Sequence, residues 1–220
     1  MKILGIDTST KTLCCGLSDG KKDYEYNVDY ATKLSKWLVP ALHRILDTAK
    51  LSPKDIDVYA CGIGPGSFTG LRIGMACVKG LAWGCGKPVI GVPSLDILAL
   101  NAKKEEGAVC AVSDAKRGLV YTATYRMKKG RAKRISSYAL LKPEDLLKGL
   151  KGGITFVGDG IPLVRDIAAA PRFRFLDKDY WKLQGHNLLE LAKDGKQISA
   201  LTIKPLYLYP KECQIKAPKC

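Results

Sequence analysis

Histidine is scarce in this chain, with only His43 and His186 among 220 residues. They stand far apart, so no HExxH, HxxxH or Cys/His zinc spacing can be built, and no protein-held metal site is expected. Acidic residues are also short: 21 Asp and Glu face 36 Lys and Arg, a formal charge of +15. A field of that sign attracts polyanions, nucleic acid or an acidic protein among them. A lysine-rich solvated surface would carry the same charge. Long apolar runs are missing too. Lys79 and Asp96 interrupt the best candidates well short of the roughly 18 residues needed to cross a bilayer. Asp7 halts the amino-terminal run MKILGI too early for an export signal. A soluble, cytoplasmic protein with no membrane partner is expected. The eight cysteines include no CxxC pair, and six of them, Cys14, Cys15, Cys61, Cys77, Cys85 and Cys110, lie in apolar segments. They read as small buried hydrophobes rather than disulfides.

What is present is the composition of a folded protein, 46% apolar and 26% charged, with room for one large domain or two small lobes. Residues 2–6 and 13–17 read as strands, and Asp19-Gly20 as the turn into a third carrying Tyr24, Tyr26 and Val28. From Lys33 the period changes: Leu34, Trp37, Leu38, Ala41, Leu42, Ile45, Leu46 and Ala49 recur at three and four, which predicts an amphipathic helix closed by Ser52-Pro53. A strand over 56–63, a helix and a strand over 88–92 follow. The second half yields strands at 109–113, 119–125, 135–139 and 154–157, with helices beginning at Pro143 and Pro162. Clusters of strands followed by helices indicate α/β lobes. The polar stretch NAKKEEG at 101–107 suggests a division into lobes 1–100 and 101–220.

The segment GIGPGSFTGLRIGMACVKGLAWG, residues 62–84, carries seven glycines. It fits no Walker A loop, no G-x-G-x-x-G fingerprint and no G-x-S-x-G elbow. Gly64-Pro65-Gly66 reads as a tight turn, and Ser67 or Thr69 as the cap of the helix that follows. Within that helix Gly70, Gly74 and Cys77 share one stripe, and Ala76, Gly80 and Gly84 another. Each interior glycine costs roughly 1 kcal/mol against alanine, which implies close approach of another backbone. Packing on the chain's own sheet and packing on a partner both remain open for the two stripes.

Asp7-Thr8-Ser9-Thr10 is a polar turn between strands, where hydroxyls and amides can hold a phosphate, although ordinary turns look the same. The run 126–134 holds Arg126, Lys128, Lys129, Arg131, Lys133 and Arg134 around Gly130 without an acid. It is a hairpin tip suited to RNA phosphates or to plain solvation, with no interleaved aromatic to stack bases.

Together ILGIDTST at 3–10, the glycine segment at 62–84 and PVIGVPSLDILA at 88–99 resemble the TsaB (YeaZ) family. Sparser matches, SDAKRGLVY, LKPEDL, FVGDG and PLYL, extend the likeness over nearly the whole chain. The resemblance implies a two-lobed actin/Hsp70/sugar-kinase type of α/β fold, each lobe a mixed sheet flanked by helices. It implies vestigial phosphate loops at Asp7, Thr8, Ser9 and Asp114, with Gly158 and Gly160 on the adenosine side. It further implies a noncatalytic subunit without a metal of its own. Such a subunit dimerises with TsaD, is joined by the ATPase TsaE, and meets tRNA through the complex, with ATP or ADP held at the interface and a homodimer forming when the chain is alone. The dimer face would comprise Leu34, Trp37, Leu38, Ala41, Gly66, Phe68, Gly70, Arg72, Gly74 and Cys77. Gly74→Leu is then expected to abolish partner binding and leave the fold intact. A stand-alone ATP-dependent phosphotransferase or a peptidase of the same fold is the rival expectation.

Overall fold

A computed structural model describes residues 1–29, 34–168 and 170–209. The amino-terminal meander is present as β1 (Ile3–Asp7), β2 (Thr12–Ser18) and β3 (Asp23–Asp29), paired antiparallel in sequence order. The β2–β3 turn is set by Asp19, whose Oδ1 accepts from the amides of Lys21 and Lys22 at 2.7 Å each. Gly20 there takes φ +92°, a value costly for any residue with a Cβ. The next strands, β4 (Val58–Gly64) and β5 (Val89–Pro93), run parallel to β1. Parallel neighbours need crossover helices, supplied by α1 (Leu34–Thr48) and α2 (Phe68–Gly84). The resulting sheet has the order β3-β2-β1-β4-β5.

A short helix α3 (Ser94–Ala99) leads into the second sheet. Its strands are β6 (Gly107–Lys116), β7 (Leu119–Lys128), β8 (Arg131–Arg134), β9 (Ala139–Leu141), β10 (Ile154–Val157) and β11 (Phe173–Phe175). They lie in the order β11-β10-β6-β7-β8, with β9 also on β7. Helices α4 (Pro143–Gly149) and α5 (Ile161–Arg165) belong to this half, and α6 (Gly185–Lys193) follows it. Two mixed sheets flanked by helices are thus the architecture expected. The single strand read over 135–139 is instead β8 and β9 separated by 135–138, since both strands pair with different stretches of β7. The helix read from Pro162 to residue 169 ends at Arg165, and residue 169 lies outside the described residues.

The strands divide between the two sheets near residue 100, but the later part of the chain does not stay with the second sheet. Helix α6 returns to the first sheet and touches β1, β2 and β3, seated where glycines leave room. A Cβ on Gly16 would lie 2.6 Å from Gly185 O, and one on Gly5 would lie 2.9 Å from Leu188 Cδ2. Beyond α6, Ile198 and Val89 exchange backbone hydrogen bonds of 2.8 and 2.9 Å, and Leu206 N donates to Ile63 O at 2.7 Å. Helix α6 and the chain through Leu206 thus pack on the first sheet, although the expected division placed them in a lobe 101–220. Helix α3 touches strands of both sheets, and Ile3, Val58, Leu95, Val109, Tyr125 and Leu188 form part of one buried cluster between them. Covered on both faces, β1 and β2 are buried at every residue, the pattern expected of a strand with two packed faces.

Candidate functional site: two turns, a helix face and a basic ribbon

The polar turn after β1 is folded inward. Asp7 is fully buried; its Oδ1 accepts from Ser9 N at 2.7 Å, and its Oδ2 accepts from Ser94 Oγ at 2.5 Å. Gly62 clears the space for it, because a Cβ there would lie 2.0 Å from Asp7 Oδ2. Burial raises the Asp7 carboxyl above its ordinary value, while hydrogen bonds from Ser9 and Ser94 oppose the rise. Each oxygen accepts one bond within the chain and the carboxylate is out of solvent, while Ser9 and Thr10 of the same turn line the neighbouring cleft. An acid whose pKa is raised on folding favours the native state most when protonated, so that contribution is lost as pH rises through the native pKa. Asp7→Asn is therefore expected to fold, and its melting temperature relative to the parent should rise with pH across the acid range and then level off. A variant less stable than the parent at neutral pH would show that the charge itself holds the turn.

Opposite this turn lies the β6–β7 hairpin, and a cleft of about 660 Å³ separates them. Asp114 pairs with Lys116 and accepts from its amide at 2.7 Å. Lys116 and Arg117 both take left-handed φ, 66° and 54°, a strain of roughly 1–2 kcal/mol per residue. Lys11, Lys116 and Arg117 give the cleft its cations. Gly158 and Gly160 do not open toward a ligand: Cβ atoms there would lie 2.1 Å from Val112 O and 3.1 Å from Ser113 N. Their missing side chains admit the backbone of β6, and Asp159 between them lines the cleft.

Helix α2 begins as expected at Ser67, whose Oγ accepts from Gly70 N at 3.2 Å. Its two stripes then differ. Cβ atoms on Gly70 and Gly74 would lie 2.1 Å from Thr8 O and from Thr8 Oγ1, and one on Gly66 would lie 2.4 Å from Ser9 O. The stripe expected to receive a partner is filled by the chain's own first turn. Leu34, Leu38 and Ala41 of the same expected face are likewise buried in the core beneath α1. The second stripe is open: nothing lies within 4 Å of a Cβ on Gly80 or Gly84. Ala76 is exposed, and Trp83 beside it is 77% exposed. Trp37 on α1 is 48% exposed, Arg72 is exposed, and Phe68 and Cys77 are half-buried.

Sequence reasoning missed the carboxy-terminal strap that bridges the halves. Tyr207 accepts from Arg72 Nε at 3.3 Å and lies tilted against Phe68 at 5.1 Å between ring centres, and the Arg72 guanidinium also lies over Phe68 at 3.8 Å. Tyr209 donates to Ala115 O at 2.9 Å. The alternation of large apolar and aromatic residues in PLYLY at 205–209 was the available signal.

The basic run is β7, a turn and β8. Arg126 faces Lys133 and Lys128 faces Arg131 across the ladder, so these four share one face. Lys129 sits at the tip with φ 50°, its amide donating to Glu106. Arg134 points the other way, stacked 3.8 Å over Tyr138.

A family model described as TsaD, tRNA N6-adenosine threonylcarbamoyltransferase, matches residues 29–179. The tRNA threonylcarbamoyladenosine biosynthesis protein TsaB of Escherichia coli (strain K12) is 33% identical over 219 residues, 94% of each chain. TsaB of Bacillus subtilis (strain 168) is 36% identical over 155 residues, 69% of this chain and 66% of that one. The structure of YeaZ from Pseudomonas aeruginosa is similar at a TM-score of 0.84 and 29% identity, covering 94% of this chain and 99% of that one. A relative more than 30% identical along almost its whole length, with the fold of a solved YeaZ, makes this chain a member of the TsaB (YeaZ) family.

Proposed function

We propose that this chain is a noncatalytic subunit that pairs with a TsaD-type enzyme and supports transfer of the threonylcarbamoyl group to the adenosine beside the anticodon of tRNA. Membership of the TsaB family supports the pathway, and the observation that carries the pairing is the open stripe of α2. Ala76, Gly80 and Gly84 leave a shallow track along the helix, flanked by the exposed Trp83. Helix α1, which touches α2, adds the half-exposed Trp37. Small residues let a second helix backbone approach, and exposed tryptophans are the anchors that protein interfaces favour. The partner face is therefore the outer stripe with Trp37, Arg72 and Cys77, rather than Gly70 and Gly74.

The ATPase TsaE would join this pair, tRNA would be met by the assembled complex, and the same outer stripe would form a homodimer in the partner's absence. ATP or ADP would sit where the subunits meet. The test is the mass in solution of this protein mixed with its cognate TsaD. A one-to-one complex is expected at micromolar concentration; two species migrating independently at tens of micromolar would overturn the reading.

A further inference from the structure

We infer that the outer face of the β7–β8 ribbon is a docking surface for the phosphate backbone of RNA, formed by Arg126, Lys128, Arg131 and Lys133. The choice of RNA among polyanions rests on the proposed role in tRNA modification. The placement of the surface does not. Residues directly opposite in an antiparallel pair lie about 5 Å apart at Cβ, and like charges there destabilise the pair. The ribbon contains two such pairs in succession, Arg126 with Lys133 and Lys128 with Arg131, within one Debye length of each other at physiological salt. All four are exposed. Some basic side chains elsewhere meet acids, as in Arg174 with Glu105, Lys103 with Glu190 and Lys193 with Asp23. Among the described residues, no acid pairs with any of the ribbon four.

Protection of a sheet edge explains only half of this. Lysines on an outer strand discourage edge-to-edge pairing, and β8 is the outer strand. Arg126 and Lys128 are on β7, whose two edges are already paired with β6 and β8, so edge protection does not call for them. The chemistry of the face narrows the partner. Lysine is depleted from protein–protein interfaces, which centre on aromatic and apolar anchors, and this face carries no aromatic residue. It also has none to stack a splayed base. Two rows of cations without base-reading groups suit phosphates, whose contacts position a nucleic acid without reading its sequence.

The test compares two variants of the full chain, each with four fewer positive charges. One is R126Q/K128Q/R131Q/K133Q; the other is K21Q/K54Q/K196Q/K204Q, at exposed lysines elsewhere. Unmodified bulk tRNA is the probe, titrated between about 50 and 200 mM salt, with thermal melts confirming that both variants fold. The ribbon variant is expected to bind at least tenfold more weakly at the lowest salt. Its plot of log K against log salt should be shallower by about 3, as loss of four phosphate contacts requires, and the control should stay near the parent. Equal losses in both variants, or parental binding by the ribbon variant, would overturn the inference. So would unchanged tRNA binding together with loss of the TsaD complex, which would assign the ribbon to a protein partner. Because the titration uses this protein alone, its failure is distinct from failure of the subunit to pair.

Discussion

Gly74→Leu is expected to destabilise the fold strongly. A Cβ at this position would lie 2.1 Å from Thr8 Oγ1, so a side chain must take the place of that hydroxyl, and Thr8 is buried. The hydroxyl donates to Gly70 O at 2.8 Å, so displacement breaks a buried hydrogen bond as well as the packing of α2 on the first turn. Overpacking costs about 1–3 kcal/mol, and an orphaned buried polar group about 1–3 more. Against a total stability of roughly 5–15 kcal/mol that is a large fraction. For a domain of this size the expected fall in melting temperature is about 10 °C or more, or inclusion bodies in place of soluble protein. A variant that melts with the parent and has lost only its partner would return Gly74 to the interface, as the sequence alone suggests.

The opposite outcome is expected further along the same helix. Ala76→Arg combined with Gly80→Arg places both side chains in solvent, because a Cβ at Gly80 meets nothing within 4 Å and Ala76 is exposed. Arginine is a better helix former than glycine by several tenths of a kcal/mol, so the fold should persist or gain slightly. Two bulky charges on a track that needs close backbone approach should weaken TsaD binding by about a hundredfold or more, read by calorimetry beside a melt of the free subunit. Unchanged affinity would move the partner face off α2.

These paired expectations show what the sequence carries and what it does not. The spacing of Gly70, Gly74, Ala76, Gly80 and Gly84 was enough to place two stripes of small residues on α2. Which stripe is inside depends on where Thr8 arrives, 62 positions before Gly70 in the chain, and no local pattern encodes that. Helix α1 was legible from its period and the meander from Asp19-Gly20 and alternation, because both signals are local. The return of α6 was not: Leu188 and Leu189 mark a buried helix side but not the sheet that covers it. Gly5 and Gly16 held the missing half of that information, since glycine within a strand marks a close approach. At the first turn, Asp7 looked available because its burial against Ser94 joins residues 87 positions apart.

The return of α6 also bears on how this chain can be divided. A cut near residue 100 leaves fragment 1–100 with the recesses above Gly5 and Gly16 empty, because the residues that fill them, Gly185 and Leu188, travel with the other piece. Neither piece keeps a complete interior, so the halves are interlocked by swapped ownership of one helix, and the unit that folds is the pair.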